Sequence, residues 1–427
     1  MDNNTGHERI GEMDDNIVCE RIGEMDDNTA LNHIVIAGAG YAGLHIALRL
    51  AARLERKGEQ DVAVTLVDTH DYHQVLTELP RVAAGTRADA AVRVPLDSVL
   101  ARRVTFVRTT VSGVDLDGRM LLTADGPLPY TRLVLALGSQ PAGDTIPGLR
   151  EHALCLWSVD DAARVWAAVR AAVRMAAECG DEEERRRLLT VVIGGAGATG
   201  VELAGTLAEE LPALARGCGL PADLPRVILI EAGPTVLADA SPRLSEKASG
   251  ILSKLGVWVR TNAAIAAVTP EGVRLAAGEA ITGRVVVWAG GVRAPALVAA
   301  SGLPTLEHGR VAVDGYLRAH DHAEVYVAGD LAAVIDPATG RALPPLAQVA
   351  LEEGETVAHN LLAESRGRPL ETFAFRDKGF VVSVGDRRGV AAVAGHTHGG
   401  RLAHVLKDAI EWEYRQSVTH LHGWSPI

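Results

Sequence analysis

At 427 residues, 48% of them apolar, the chain is long enough for two or three globular domains and too apolar to be disordered as a whole. Its net charge of −12 argues against a nucleic-acid surface. No apolar run approaches the roughly 20 residues that span a bilayer, and the four cysteines, Cys19, Cys155, Cys179 and Cys218, form neither a CxxC pair nor a metal spacing.

The first thirty residues are acidic and polar, and ERIGEMDDN occurs in them twice, at 8–16 and 20–28. So short a repeat is not a folding unit, and residues 1–32 read as a disordered tail from a local duplication or an upstream start. The segment lacks the basic flank and apolar core of a secretory signal. With the cysteines read as reduced thiols, a cytoplasmic protein is expected.

Folded structure is expected from His33. The stretch HIVIAGAGYAGLHIALRLAARL reads as a buried strand, a glycine turn and a helix. Gly38, Gly40 and Gly43 carry the GxGxxG spacing: one glycine for the tight turn, one for approach to a pyrophosphate, one for close packing of helix on strand. Phosphates would meet the free amides at the helix N-terminus. The next strand, VAVTLVD, ends in Asp68, an acid placed to hold a ribose diol. Asp117-Gly118 and Asp125-Gly126 mark turns of a small antiparallel region. Ser158 is a candidate cap for the helix VDDAARVWAAVRAAVRMA, and DEEERRR after Gly180 reads as an exposed connector.

The same sentence is then written again. LLTVVIGG is a strand, Gly195, Gly197 and Gly200 carry the turn, VELAGTLAEEL is the helix, and RVILIE ends in Glu231. A carboxylate there accepts from both ribose hydroxyls and repels an added phosphate, which favours NAD over NADP. Further on, VYVAGDLAAV runs a strand into Gly329-Asp330 and then, on this reading, into a helix. Asp330 lies where ligands bind in open α/β sheets and can accept from the polyol of a flavin. Two dinucleotides on one chain suggest a relay between a resident flavin and an exchanging nicotinamide.

The order of these motifs resembles the flavoproteins with two dinucleotide domains, and within them the type II NADH:quinone oxidoreductases. The resemblance rests on YTRLVLALGSQPAGDTIPG, GATGVELAG, VVVWAGGVRAPAL, PPLAQVALEEG and FRDKGFVVSVGDRRGVA, and covers nearly everything after His33. It implies two Rossmann-like domains binding FAD and NAD(H). The FAD domain would comprise 33–150 and 285–345, the NAD domain 151–284, and the rest, from 346 to 427, would close the acceptor site. It places Gly138 near the flavin, Gly290 near the nicotinamide, Glu202 between the nicotinamide and quinone sites, Lys378 beside the flavin ring, Gln348 at both cofactor and quinone, and Glu352 at the quinone. The implied activity is hydride transfer from NADH to FAD and two electrons to a quinone. The branches that use a redox cysteine pair are set aside, because the last cysteine is Cys218.

Two departures stand out. The family usually shows paired glutamines where this chain has Glu352-Glu353, so either Glu352 has a raised pKa and donates a proton, or the acceptor differs. The C-terminal segment puts Leu402, Val405, Leu406, Ala409 and Ile410 on one helical face, but the opposite face has no excess of basic residues. Docking on the inner face of the plasma membrane, ordinary packing and a homodimer contact all stay open for it, and a homodimer is the expected assembly. His396, His398 and His404 read as surface or loop residues, while Tyr72 and His73 are candidates for the flavin's surroundings. Two rival functions remain: a soluble NAD(P)H-dependent flavin reductase with another acceptor, and a non-enzymatic flavin redox sensor.

Overall fold

The computed structural model describes residues 32–59, 61–393 and 395–419. The duplicated segment and Cys19 lie outside them. Two sheets organise the chain. The first runs Arg318–Ala319, His322–Val327, Arg132–Leu135, Asn32–Ala37, Val62–Asp68, Val104–Arg108, parallel except for the first pair. The second runs Leu154–Cys155, Val285–Trp288, Thr190–Gly194, Arg226–Ile230, Trp258–Arg260, parallel throughout. In each, the chain leaves a glycine-turn strand on one side and later returns to pair on its other side. That reversal opens a crevice at the carboxyl end of the strand, where such sheets take ligands.

The apolar runs form these strands because both faces are covered. Ile34 and Ile36 enter one core while Val35 and Ala37 enter another. Val191 and Ile193 likewise part from Val192. The helix Tyr41–Lys57 ends at Gly58, with φ of 64°. The helix Val159–Glu178 starts at Ser158, which forms a capping box with Asp161. The Asp-Gly turns join the antiparallel strands Val111–Asp115, Met120–Thr123 and Gly126–Pro129.

Three expectations are corrected. Val285–Trp288, assigned above to the second piece of the flavin domain, hydrogen-bonds to Thr190–Gly194 in the other sheet. DEEERRR is a helix, Glu182–Leu188, capped by Asp181. Its acids at the start and bases at the end suit the helix dipole. After Gly329-Asp330 there is a single 3-10 turn, Gly329–Leu331, and then the short strand Ala332–Ala333. A helix follows only at Ala347–Ser365. Gly329 has φ of 75°, a left-handed geometry that turns the chain instead of starting a helix.

The helix Ala347–Ser365 lies along Tyr41–Lys57 so closely that a Cβ on Gly354 would stand 3.2 Å from the Ala42 carbonyl oxygen. The helix Ala198–Gly217 packs still more tightly on the C-terminal part: a Cβ on Gly205 would stand 2.4 Å from the Gly385 nitrogen. That part is a three-stranded antiparallel sheet, Phe380–Ser383, Gly389–Val393 and His396–Gly400, with the helix Arg401–Thr419 against it. His396 and His398 are exposed on its last strand, not in a loop.

Candidate active site

The two glycine turns are built alike, group for group. The Gly38 amide donates to the Val67 carbonyl at 2.7 Å, and the Gly195 amide to the Ile230 carbonyl at 2.8 Å. A Cβ on Gly43 would fall 1.8 Å from the Gly38 oxygen, and one on Gly200 would fall 1.9 Å from the Gly195 oxygen. Only glycine lets each helix pack so near its own turn. Gly40 and Gly197 differ from these: a Cβ there meets nothing within 4 Å. The room lies over the start of each helix, where unpaired amides and the helix dipole favour a pyrophosphate.

The strand-end acids are engaged in matching ways. Asp68 accepts from the Ala39 amide at 2.7 Å and the His70 amide at 2.8 Å. Glu231 accepts from the Ala196 amide at 2.8 Å and the Gly233 amide at 2.7 Å. Each carboxylate is thus fixed beside its turn, with lone pairs left for ribose hydroxyls. At the first turn, Asp330 approaches from the other strand and accepts from the Ser139 hydroxyl at 2.7 Å. Burial pushes its carboxyl above the usual range.

A third group of side chains lies where the C-terminal helix meets the second turn's helix. Glu202 is buried, accepts from the Ser383 amide at 3.0 Å and pairs directly with the Lys407 ammonium. Lys407 also lies 3.5 Å from Glu411. Glu411 faces Arg81, and burial pushes its carboxyl up to about 7. Close by, Glu78 pairs with Arg87 and Arg415, each at 2.8 Å. The same helix reaches the first turn. Its Tyr414 hydroxyl is 2.7 Å from His73 Nε2, and His73 Nδ1 is 2.9 Å from the Ala39 carbonyl. A carbonyl only accepts, so Nδ1 carries the proton and Nε2 accepts from the tyrosine. Burial holds the ring neutral, lowering its pKa to about 4.

The pyridine nucleotide-disulphide oxidoreductase family model matches residues 32–354. A type II NADH:quinone oxidoreductase of Staphylococcus aureus is 30% identical over 382 residues, covering 88% of this chain and 94% of that one. The chain belongs to the type II NADH:quinone oxidoreductases of this family. Among solved structures, an NDH2 from Plasmodium falciparum in complex with NADH superposes with a TM-score of 0.80 at 15% identity, over 92% of this chain and 97% of that one. The sulfide:quinone oxidoreductase of Aquifex aeolicus follows the same fold, with a TM-score of 0.76 at 19% identity and coverage of 91% and 92%. Among the described residues, Cys155, Cys179 and Cys218 are free thiols.

Within this family fold the site residues read from the sequence fall into two groups. The turn glycines, Asp68, Glu231, Gly138 and Asp330 converge on the two crevices, joined by Ser139, which the sequence reading missed. Gly138, with φ of 63°, has open space around it. Gly290 packs against Trp288, where a Cβ would meet the indole ring at 2.3 Å. The second group comprises the acceptor-side residues. The Lys378 side chain is 73% exposed and lies 3.4 Å from Glu352. The cation beside Glu202 is Lys407, whose side chain is only 11% exposed. Gln348 donates to the Arg376 carbonyl at 3.0 Å and Glu352 accepts from the Arg376 amide at 3.0 Å. One turn apart on their helix, the two clamp a single peptide segment. The carboxylate that is truly buried is Glu353, and His404, read as a surface residue, is tucked against Ser383 and Asp408.

Proposed function

We infer that this chain is an FAD-dependent NADH:quinone oxidoreductase. The observation that carries the reading is the twin turn: two glycine cradles, each closed by a strand-end carboxylate, in one chain of this family. With both dinucleotides bound, the nicotinamide supplies a hydride to the flavin, and two electrons pass on to the quinone. The chain's residues bind and orient. Asp68 and Glu231 hold the ribose diols, the turn amides take the pyrophosphates, and Asp330 with Ser139 holds the flavin polyol. Glu231 favours NADH over NADPH. Glu202 and Lys407, a buried charged pair on the helix that follows the nicotinamide turn and the C-terminal helix, are our candidates for moving the proton that quinone reduction consumes. Gln348 and Glu352 support the acceptor wall through Arg376.

We place the domain boundary after Trp288, so that the flavin unit comprises 33–150 and 289–345 and the nicotinamide unit 151–288. The antiparallel pair Gln140–Pro141 with Val292–Arg293 supports this, because it ties the outgoing and returning connections together. The C-terminal helix turns its apolar side outward. Leu402 is 66% exposed and Trp412 65%, with Val405 and Ile410 beside them, which supports peripheral contact with the inner face of the plasma membrane over packing within the chain. No helix among the described residues is long and apolar enough to cross a membrane. A homodimer through the same face would cover it equally, and vesicle co-sedimentation beside analytical ultracentrifugation separates the two.

The decisive experiment is anaerobic reduction of the purified yellow protein by NADH, followed by a short-chain quinone. Bleaching by NADH and prompt recovery with quinone is expected. Bleaching without recovery points to the soluble reductase, and no bleaching to a sensor.

A further inference from the structure

Glu353 has no exposed surface, and the roles assigned above do not use it. Its Oε2 accepts from the Gly329 amide at 2.5 Å, at the left-handed residue of the turn that carries Asp330. Its Oε1 is buried with no hydrogen-bond partner among the described residues. An ionised carboxylate in that position would leave half its lone pairs unserved in a dry interior. A neutral acid needs less. The charged groups facing it are Asp330, on the turn, and Arg310. The Arg310 guanidinium is buried too, and is fixed on the carbonyls of Leu343, at 2.7 Å, and Ala332. The other charges nearby point elsewhere. Glu352 turns to Lys378, while Glu355 turns to His45, Arg49 and Arg53 of the helix packed alongside. One buried cation therefore faces a fully buried acid and a half-buried one, and the fully buried acid is the costlier to ionise. Asp330 accepts from the Ser139 hydroxyl and is less buried than Glu353, and it too feels the Arg310 charge, so it is the one to ionise. Burial accordingly pushes the Glu353 carboxyl up to about 8.

We propose that Glu353 is a positioning residue for the flavin: as a neutral acid beneath the Gly329–Leu331 turn it holds Asp330 in place, and its ionisation in alkali loosens the flavin. This rests on the reading of that turn as the flavin seat. The family's glutamine at this position would hold the amide without titrating. The exchange for glutamate makes flavin retention depend on one proton.

The test uses the purified holoprotein and its Glu353→Gln variant, which keeps the acceptor for Gly329 and cannot ionise. Free FAD is separated by ultrafiltration between about pH 6 and about pH 9.5, and far-UV circular dichroism is recorded on the same samples. Above the midpoint the wild-type Kd for FAD should rise about tenfold per pH unit with the fold intact, while Glu353→Gln stays flat. Equal slopes in both proteins overturn the proposal, as does wild-type retention that does not change with pH. The wild-type titration decides even if the variant does not fold. A wild-type protein that takes up no FAD near neutral pH sinks the flavin reading itself, a result distinct from a flat titration.

Discussion

Replacing Lys407 by methionine tests the buried pair where the C-terminal helix meets the helix after the second turn. The Lys407 and Glu202 side chains are 11% and 8% exposed, so their attraction is poorly screened. Methionine fills the space of the stem and removes the charge. Glu202 and Glu411 are then left facing each other with no cation between them. Breaking one partner out of a buried pair costs about 3–5 kcal/mol. Proton uptake moderates the loss, because Glu411 already titrates at about 7 in the intact protein. Without the lysine its carboxyl rises further above its unfolded value. A group raised in the folded state lends its full stability below the unfolded pKa and loses it as pH climbs through the folded one. Lys407→Met should therefore destabilise by about 3 kcal/mol or more near pH 8 and by clearly less near pH 5.5. The assay is urea unfolding of wild type, Lys407→Met, Glu202→Gln and the double variant at both pH values. The double variant should recover roughly 2 kcal/mol of the summed losses. Additive losses, or a Lys407→Met penalty that ignores pH, would refute the account of this pair.

Other consequences can be measured independently. NADPH should show kcat/KM at least about tenfold below NADH, because its phosphate meets Glu231; equal values would unseat that residue. Gly197→Val should keep the fold, since nothing lies within 4 Å of the added Cβ, yet weaken NADH binding in a titration. Gly200→Ala should instead lower thermal stability, since its Cβ would sit 1.9 Å from the Gly195 oxygen. Wild-type stability should fall as pH rises from about 4.5 to about 7, the range between the ordinary and the raised Glu411 pKa. Glu411→Gln should flatten that fall, by on the order of 1–3 kcal/mol in urea melts.

The sheets and turns were legible because their signals are local. A run such as HIVIAGAG fixes strand, turn and helix start within ten residues, and an acid at the next strand's end lies one parallel register away. Register across the chain was harder to read. Val285–Trp288 is as apolar as any buried strand, and nothing in its composition says which of two similar sheets it joins. Side chains meeting across long separations were hidden for the same reason. Lys407, 205 residues from Glu202, completes a buried pair that no local pattern announces. Glu352 and Glu353 are adjacent in sequence, and one step of helical rotation, about 100°, puts one at Arg376 and the other beneath Gly329. The available signal was a lysine and a glutamate four residues apart, Lys407 and Glu411, on the polar face of an amphipathic helix.

That helix also explains why its face pattern is inverted. In an ordinary amphipathic helix the apolar stripe faces the core and charges face water. Here Ala403, Lys407, Glu411 and Val418 are the buried positions, and Leu402, Val405, Ile410 and Trp412 are exposed. Such an orientation is costly in water unless the polar face is fully matched inside and the apolar face meets something other than water. Opposite charges meet that face along the helix, although both Glu411 carboxylate oxygens are buried without a hydrogen bond among the described residues. Lys407 meets Glu202 on the helix after the second turn, and Asp408 and Glu411 meet Arg81. Arg415 meets Glu78, and Tyr414 reaches His73 and through it the Ala39 carbonyl of the first turn. One helix thereby holds the first glycine turn and the helix that follows the second by polar contacts. The same rotation that directs those groups inward forces the apolar stripe out, so fixing the site and presenting an apolar surface are a single geometric choice.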